Sequence, residues 1–170
     1  MINGITDRTV IVMSGVSGSG KSTVADRWGA DWMQQHPASH YYIVSADDYF
    51  MIESESGGLE YHFDASKLTP AHANCFRRFL GALERGTPLV MVDNTNTTVE
   101  EIAPYMLGAE AYGYQPMLHT IACFTKEEVK VCAARNSHGV PEQVVMAQQR
   151  RLQERRVPYR WRTYSSGVQT

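Results

Sequence analysis

The sequence predicts an α/β fold whose layers surround a mostly parallel sheet. Short apolar runs at 9–13, 41–45, 89–92 and 117–124 alternate with stretches of helical spacing, the pattern of βαβ units with right-handed crossovers. The first three runs each end in polar chemistry: a glycine-rich loop, Asp47-Asp48, and Asp93-Asn94-Thr95-Asn96. In such sheets ligands bind beyond the C-terminal ends of the strands.

Thr9-Val10-Ile11-Val12-Met13 is continuously apolar, as expected of a parallel strand covered on both faces. A helix follows from Ser22 to Gln35, with Val24, Trp28 and Trp32 on one face and His36-Pro37 as its stop. Tyr41 to Ser45 is the second strand. Residues 50–66 show no period, and Gly57-Gly58 marks a turn, so a loop is expected there. Pro70 to Leu83 reads as a helix with Ala73, Phe76, Phe79, Leu80 and Leu83 on one face, ended by Gly86. Leu89 to Val92 is the third strand, and a helix is expected from Thr98 to Gly113, with Thr98 and Glu101 as a capping box and Pro104 in its early part. The fourth strand runs from Met117 to Phe124. Thr125 and Glu128 repeat the capping box and open a helix to about Asn136; a last helix starts at Pro141 or Glu142 and reaches about Arg155.

The 170 residues contain no composition break, so residues 1–170 read as one domain with one cleft. With 43% hydrophobic and 20% charged residues, disorder is excluded except at the ends. No apolar run approaches the roughly 18 residues of a membrane span, and the N-terminus lacks a secretory layout, so a cytoplasmic protein with no membrane partner is expected. Cys75, Cys123 and Cys132 have no metal-type spacing and read as reduced, buried thiols. A net charge of −2 advertises no global basic field for nucleic acid. Locally, Arg150, Arg151, Arg155, Arg156, Arg160 and Arg162 make the C-terminal helix and tail (142–170) basic, while Glu53, Glu55, Glu60 and Asp64 make the loop after residue 50 acidic.

Gly15-Val16-Ser17-Gly18-Ser19-Gly20-Lys21-Ser22 fits G-x-x-x-x-G-K-[ST] between a strand and a helix, the context the motif requires. Glycines let the backbone curl so that N–H groups point at phosphate oxygens, and the helix N-terminus adds its positive end. This predicts a nucleoside triphosphate, ATP or another, held by Gly15, Ser17, Gly18, Ser19, Gly20, Lys21, Ser22 and Thr23, with Lys21 on the β/γ-phosphates and the Ser22 hydroxyl on Mg²⁺. Asp93 closes a strand where a carboxylate reaches that metal, or else it caps the next segment. Asp47 and Asp48 stand where a carboxylate could accept the proton of an attacking hydroxyl, or where an Asp pair simply caps a loop. Tyr49, Phe50, Tyr61 and Phe63 are aromatics that stack on a base or anchor a loop.

Gly15 to Thr23, Ser45-Ala46-Asp47-Asp48-Tyr49-Phe50, Tyr61-His62-Phe63-Asp64, Val92-Asp93-Asn94-Thr95-Asn96 and Arg135-Asn136-Ser137-His138-Gly139-Val140-Pro141, in that order, resemble the polynucleotide-kinase-like group of P-loop kinases. The likeness spans roughly residues 10–155; it is strongest to the kinase domain of the NEDD4-binding proteins and more distant to bacteriophage polynucleotide 5′-hydroxyl kinase. It implies the three-layer P-loop NTPase fold with about five strands in the kinase-type order 2-3-1-4-5. Asp47 would be the general base and residues about 135–141 a helical lid over the triphosphate. Arg135 would neutralise the transferring phosphoryl group, and Asp47, Asp48, Asn94 and Asn96 would face the acceptor. The sequence departs from the phage enzyme after the acidic pair, where Tyr49-Phe50-Met51-Ile52 replaces a basic acceptor-holding residue, and in the lid, where His138 is the nearest further basic group.

These observations lead to an ATP-dependent kinase, its acceptor the hydroxyl of a nucleic acid, either a 5′-OH end or a hydroxymethylated base. The alternatives are the same chemistry on a nucleoside, sugar or antibiotic, and a nucleotide-dependent switch or interaction module.

Overall fold

In the computed structural model, residues 5–54 and 57–168 are described. Glu55 of the acidic loop and the side chain of Arg162 lie outside this set.

Strand β1 (Thr9–Ser14) is buried along its whole length and lies at the centre of the sheet. It runs into the glycine loop and helix α1 (Lys21–Gln35). Strand β2 (Tyr41–Val44) is followed by a 3-10 turn over Asp47–Phe50. The stretch expected as a loop instead holds a small antiparallel hairpin, β3 (Met51–Glu53) and β4 (Leu59–Tyr61), separate from the main sheet. Three-residue strands give little periodicity to read, and Gly57, at φ 84, makes the turn between them. Helix α2 (Leu68–Glu84) starts slightly before the expected Pro70, after a turn over Ala65–Lys67 that Asp64 caps through the Ser66 N–H.

Strand β5 (Leu89–Val92), helix α3 (Val99–Ala111), strand β6 (Gln115–Ala122) and helix α4 (Lys126–Arg135) fall where expected, and both capping boxes, Thr98 with Glu101 and Thr125 with Glu128, are formed. Helix α5 (Glu142–Glu154) leads to a strand that periodicity did not reveal, β7 (Arg162–Gly167). Its residues Arg-Thr-Tyr-Ser-Ser-Gly hold no apolar run, because β7 is an edge strand with a wet side.

The main sheet has the order β2-β5-β1-β6-β7, every pair parallel. Counted within this sheet alone, that is the expected order 2-3-1-4-5. One face buries Val10, Val12, Val90 and Val92 under Phe79 and Leu83 of α2 and Ile102 and Met106 of α3. The other buries Ile11, Met13, Met91 and Ile121 under Val24, Trp28 and Trp32 of α1. Successive β-residues point to opposite faces, so the all-apolar strands feed both layers at once. A smaller cluster of Val16, Cys123, Val129, Cys132 and Val145 joins α4 and α5 to the glycine loop. All three cysteines are buried free thiols. No helix among the described residues is long and apolar enough to cross a membrane.

Candidate active site

The C-terminal ends of β1, β2 and β5 bring the glycine loop, the Asp47 turn and Asp93 to one edge of the sheet, and the α4–α5 connection closes over them. A cleft of about 750 Å³ lies between these segments. Ser17, Gly18, Gly20, Lys21, Ser22 and Thr23 form its floor, and Asp93 and Asn94 its back. Asp47, Asp48 and Tyr61 line one wall; Arg135, Asn136 and His138 line the facing lid.

The loop conformation depends on glycine most sharply at Gly18, where φ is 72 and an added Cβ would stand 2.1 Å from the main-chain oxygen of Cys132. Helix α1 begins after Gly20 with no side-chain cap. Its first-turn N–H groups therefore remain for an anion, which the positive end of the helix also attracts.

Lys21 is buried and its Nζ donates to the Val16 carbonyl at 3.0 Å. Burial pushes its ammonium below the usual lysine range, opposed by the charges of Asp93 and Asp47. Burial likewise pushes the Asp93 carboxyl up, opposed by Lys21 and by a hydrogen bond from Ser22. The Ser22 hydroxyl and the Asp93 carboxylate thus lie together, a pair of hard oxygen donors. Among the described residues no group of three or more His, Cys, Asp or Glu could cage a metal. The pair therefore fits Mg²⁺ shared with a triphosphate, the usual form for that ion.

The two acidic residues of the turn have different surroundings. Asp48 accepts from Arg78 at 2.7 Å and from the Ser45 N–H at 3.3 Å, and Arg78 also donates to the Tyr42 hydroxyl at 2.9 Å. Asp47 accepts from the Tyr61 hydroxyl at 3.1 Å on Oδ1, and His138 Nε2 stands 3.6 Å from Oδ2. Burial first, and the Asp47 charge second, hold the Tyr61 phenol well above its ordinary value, so it stays a donor.

Asn94 lies in the cleft lining and Asn96 outside it, and both side chains are engaged within the protein. Asn94 is buried, accepts the Ala46 N–H at 2.8 Å and turns its amide toward Cys75 and Tyr105 at 3.4 Å. Asn96 is buried at φ 43, outside the cleft lining, and donates to the Met13 carbonyl at 2.7 Å. These amides tie the ends of β1, β2 and β5 together, as buried polar groups must be paired. Gly15 and Ser19 also lie behind the cleft lining: the Gly15 N–H donates to Thr95 at 2.9 Å, and Ser19 is fully buried.

Arg135 Nε donates to the Gly18 carbonyl, so the last residue of α4 lies against the glycine loop. The lid turn is pinned by Asn136, which accepts the Val140 N–H at 2.7 Å and donates to the Val140 and Ala133 carbonyls. From α5, Gln148 reaches Ser17. Arg151 donates to Thr97 at 3.2 Å, and Arg155 bridges Ser14, Thr120 and the Asn96 carbonyl. Burial lowers the Arg155 guanidinium to about 10, with Glu101 opposing. Arg78, Gln148 and the contacts of Tyr61 and His138 with Asp47 were not assigned from sequence. Gln148 did leave a trace: three residues after Val145, it is a polar residue on the apolar face of α5.

Sheet order, flanking helices and glycine loop together define a kinase-like P-loop domain. The chain belongs to the AAA domain family AAA_33, whose model matches residues 10–157. Human NEDD4-binding protein 2 is 30% identical over 136 residues, which are 80% of this chain and 7% of that protein. The chain therefore corresponds to a small part of that relative. Among solved structures, Kti12 of Chaetomium thermophilum in complex with ADP-AlF3 is similar at a TM-score of 0.62 and 14% identity, over 93% of this chain and 88% of that one. A gluconokinase from Sinorhizobium meliloti 1021 is similar at 0.59 and 20% identity, over 96% and 84%. Both likenesses are of fold.

Proposed function

We propose that this domain is an ATP-dependent kinase that transfers the γ-phosphate to a hydroxyl of a nucleic acid. The observation that carries the transfer chemistry is Asp47, a half-exposed carboxylate lining the same cleft as Lys21, Ser22 and Asp93. In the reaction the acceptor oxygen bonds to the γ-phosphorus while its proton passes to Asp47. The bond from the γ-phosphorus to the β–γ bridging oxygen breaks, and ADP leaves. Lys21 balances the phosphate charge, and Arg135, on the lid, takes up charge on the transferring group; contributions of this kind are worth about 10³–10⁵ in rate when the site is closed. Ser22 and Asp93 would hold Mg²⁺, which would supply positive charge to the phosphates. A mere switch has no use for a carboxylate at Asp47.

The nucleic-acid acceptor rests on the ordered motifs at 45–50, 92–96 and 135–141. One observation favours a second reading, a small neutral acceptor such as a nucleoside or sugar: the acceptor wall is acidic and apolar. Asp48 is matched by Arg78, and the hairpin adds Met51 and Leu59 beside Tyr61.

Labelled ATP offered with a 5′-hydroxyl oligonucleotide, a duplex carrying hydroxymethylated bases, adenosine and a hexose separates the two. Label on either nucleic acid, weakening steeply with salt, supports the first reading. Label on the small compounds alone overturns it, and label on none of them overturns the kinase assignment.

A further inference from the structure

Three separate chain segments converge on the carboxylate of Asp47. The turn that bears it is fixed through its neighbour, since Asp48 is held by Arg78 and by the Ser45 N–H. The Asp47 N–H donates to Ser45 Oγ at 3.2 Å. Tyr61, at the end of β4, is brought to Oδ1 by a main-chain clip: the His62 N–H donates to the Phe50 carbonyl at 2.8 Å, fastening the hairpin to the turn. His138 comes from the lid. Its ring lies 4.3 Å from the Tyr61 ring, and its Nε2 stands 3.6 Å from Oδ2, too long for a hydrogen bond.

Resting on the kinase reading above, we infer that Tyr61 and His138 are positioning residues for Asp47, Tyr61 anchoring Oδ1 and His138 guarding Oδ2 until the acceptor hydroxyl takes its place. A carboxylate on a half-exposed turn has two torsions to fix, and an unfixed base loses rate by misplacement alone. The Tyr61 hydroxyl removes that freedom and leaves Oδ2 as the basic atom. His138 belongs to the α4–α5 turn pinned by Asn136, so the placing of that turn also places the ring beside Oδ2. The acceptor proton goes to Oδ2, Tyr61 keeps its own proton, and no group is consumed.

Tyr61→Phe keeps the ring against Phe50 and His138 and removes only the hydroxyl. His138→Ala removes the lid contact, whereas His138→Gln retains a polar side chain of similar reach beside Oδ2. Transfer is read on whichever compound of the panel above the wild-type protein phosphorylates. Tyr61→Phe should lower kcat by about 10²-fold with unchanged KM for ATP and unchanged unfolding midpoint. His138→Ala should lower it as well, and His138→Gln should restore most of it. Wild-type kcat in Tyr61→Phe and His138→Ala, with Asp47→Asn inactive, overturns the positioning role and leaves the kinase reading intact. Wild-type kcat in Asp47→Asn overturns the base assignment, and this inference with it.

Discussion

Gln148 of α5 holds Ser17 of the glycine loop at both ends: its Oε1 accepts the Ser17 N–H at 2.8 Å and its Nε2 donates to the Ser17 hydroxyl at 3.1 Å. The N–H of Ser17 is thereby committed to the scaffold, and the loop is braced by the helix that follows the lid. Gln148→Ala leaves a loop N–H without its partner, at a cost of about 1–3 kcal/mol. We expect a lower unfolding midpoint in urea together with weaker nucleotide binding by titration. Weaker stability with unchanged nucleotide affinity would show that the brace does not shape the phosphate site.

Gly18→Ala should be more damaging. The new Cβ would collide with the Cys132 carbonyl, and φ 72 is itself unfavourable for alanine. Together these put the loss at about 3 kcal/mol or more, enough to abolish nucleotide binding. Calorimetric titration with ADP on the purified variant measures this, and wild-type affinity would contradict the geometry.

Asp93→Asn tests the metal assignment. The Asn amide still faces Ser22 but carries no charge for a cation. Nucleotide affinity without Mg²⁺ should change little, while the strengthening that Mg²⁺ confers should disappear. Titrations with and without EDTA read both quantities, and a retained Mg²⁺ effect would remove Asp93 from the metal site.

Acid should weaken the fold through His119. Burial lowers this imidazole from its ordinary 6.5 to about 4, and its Nε2 meets Ser166 Oγ at 3.1 Å while Trp28 packs edge-on to its ring. Between those two values the unfolded chain binds the proton and the folded one does not. The favourable term is complete above about pH 6.5 and is lost as pH falls towards 4, roughly 2–3 kcal/mol in all. Urea midpoints at neutral pH and near pH 4.5 should differ less in His119→Gln than in the wild type. An equal drop in both proteins would assign the acid sensitivity elsewhere.

What the sequence disclosed was what sits close together along the chain. The glycine loop, its flanking strand and helix, both capping boxes and Asp93 at the end of β5 depend on neighbours a few residues away, so pattern and spacing reveal them. Strand β7 escaped because one of its sides is wet and its residues are polar. The hairpin escaped because three-residue strands have no period. That Asn94 accepts the Ala46 N–H and Asn96 donates to the Met13 carbonyl is invisible in the sequence. Arg78 and Asp48, thirty positions apart, and Gln148 and Ser17, 131 apart, become partners only through the tertiary fold.

Strand β7 also sets an order on synthesis. It pairs in parallel with β6, yet α4, the lid and α5 separate the two in the chain. A nascent chain leaving the ribosome can assemble β1, β2, β5 and β6, but it must carry β6 with a bare hydrogen-bonding edge until the polar strand arrives. Such an edge invites pairing with other chains. The residues from Arg162 to Gly167 thus cover the β6 edge, the seam that keeps it from intermolecular pairing.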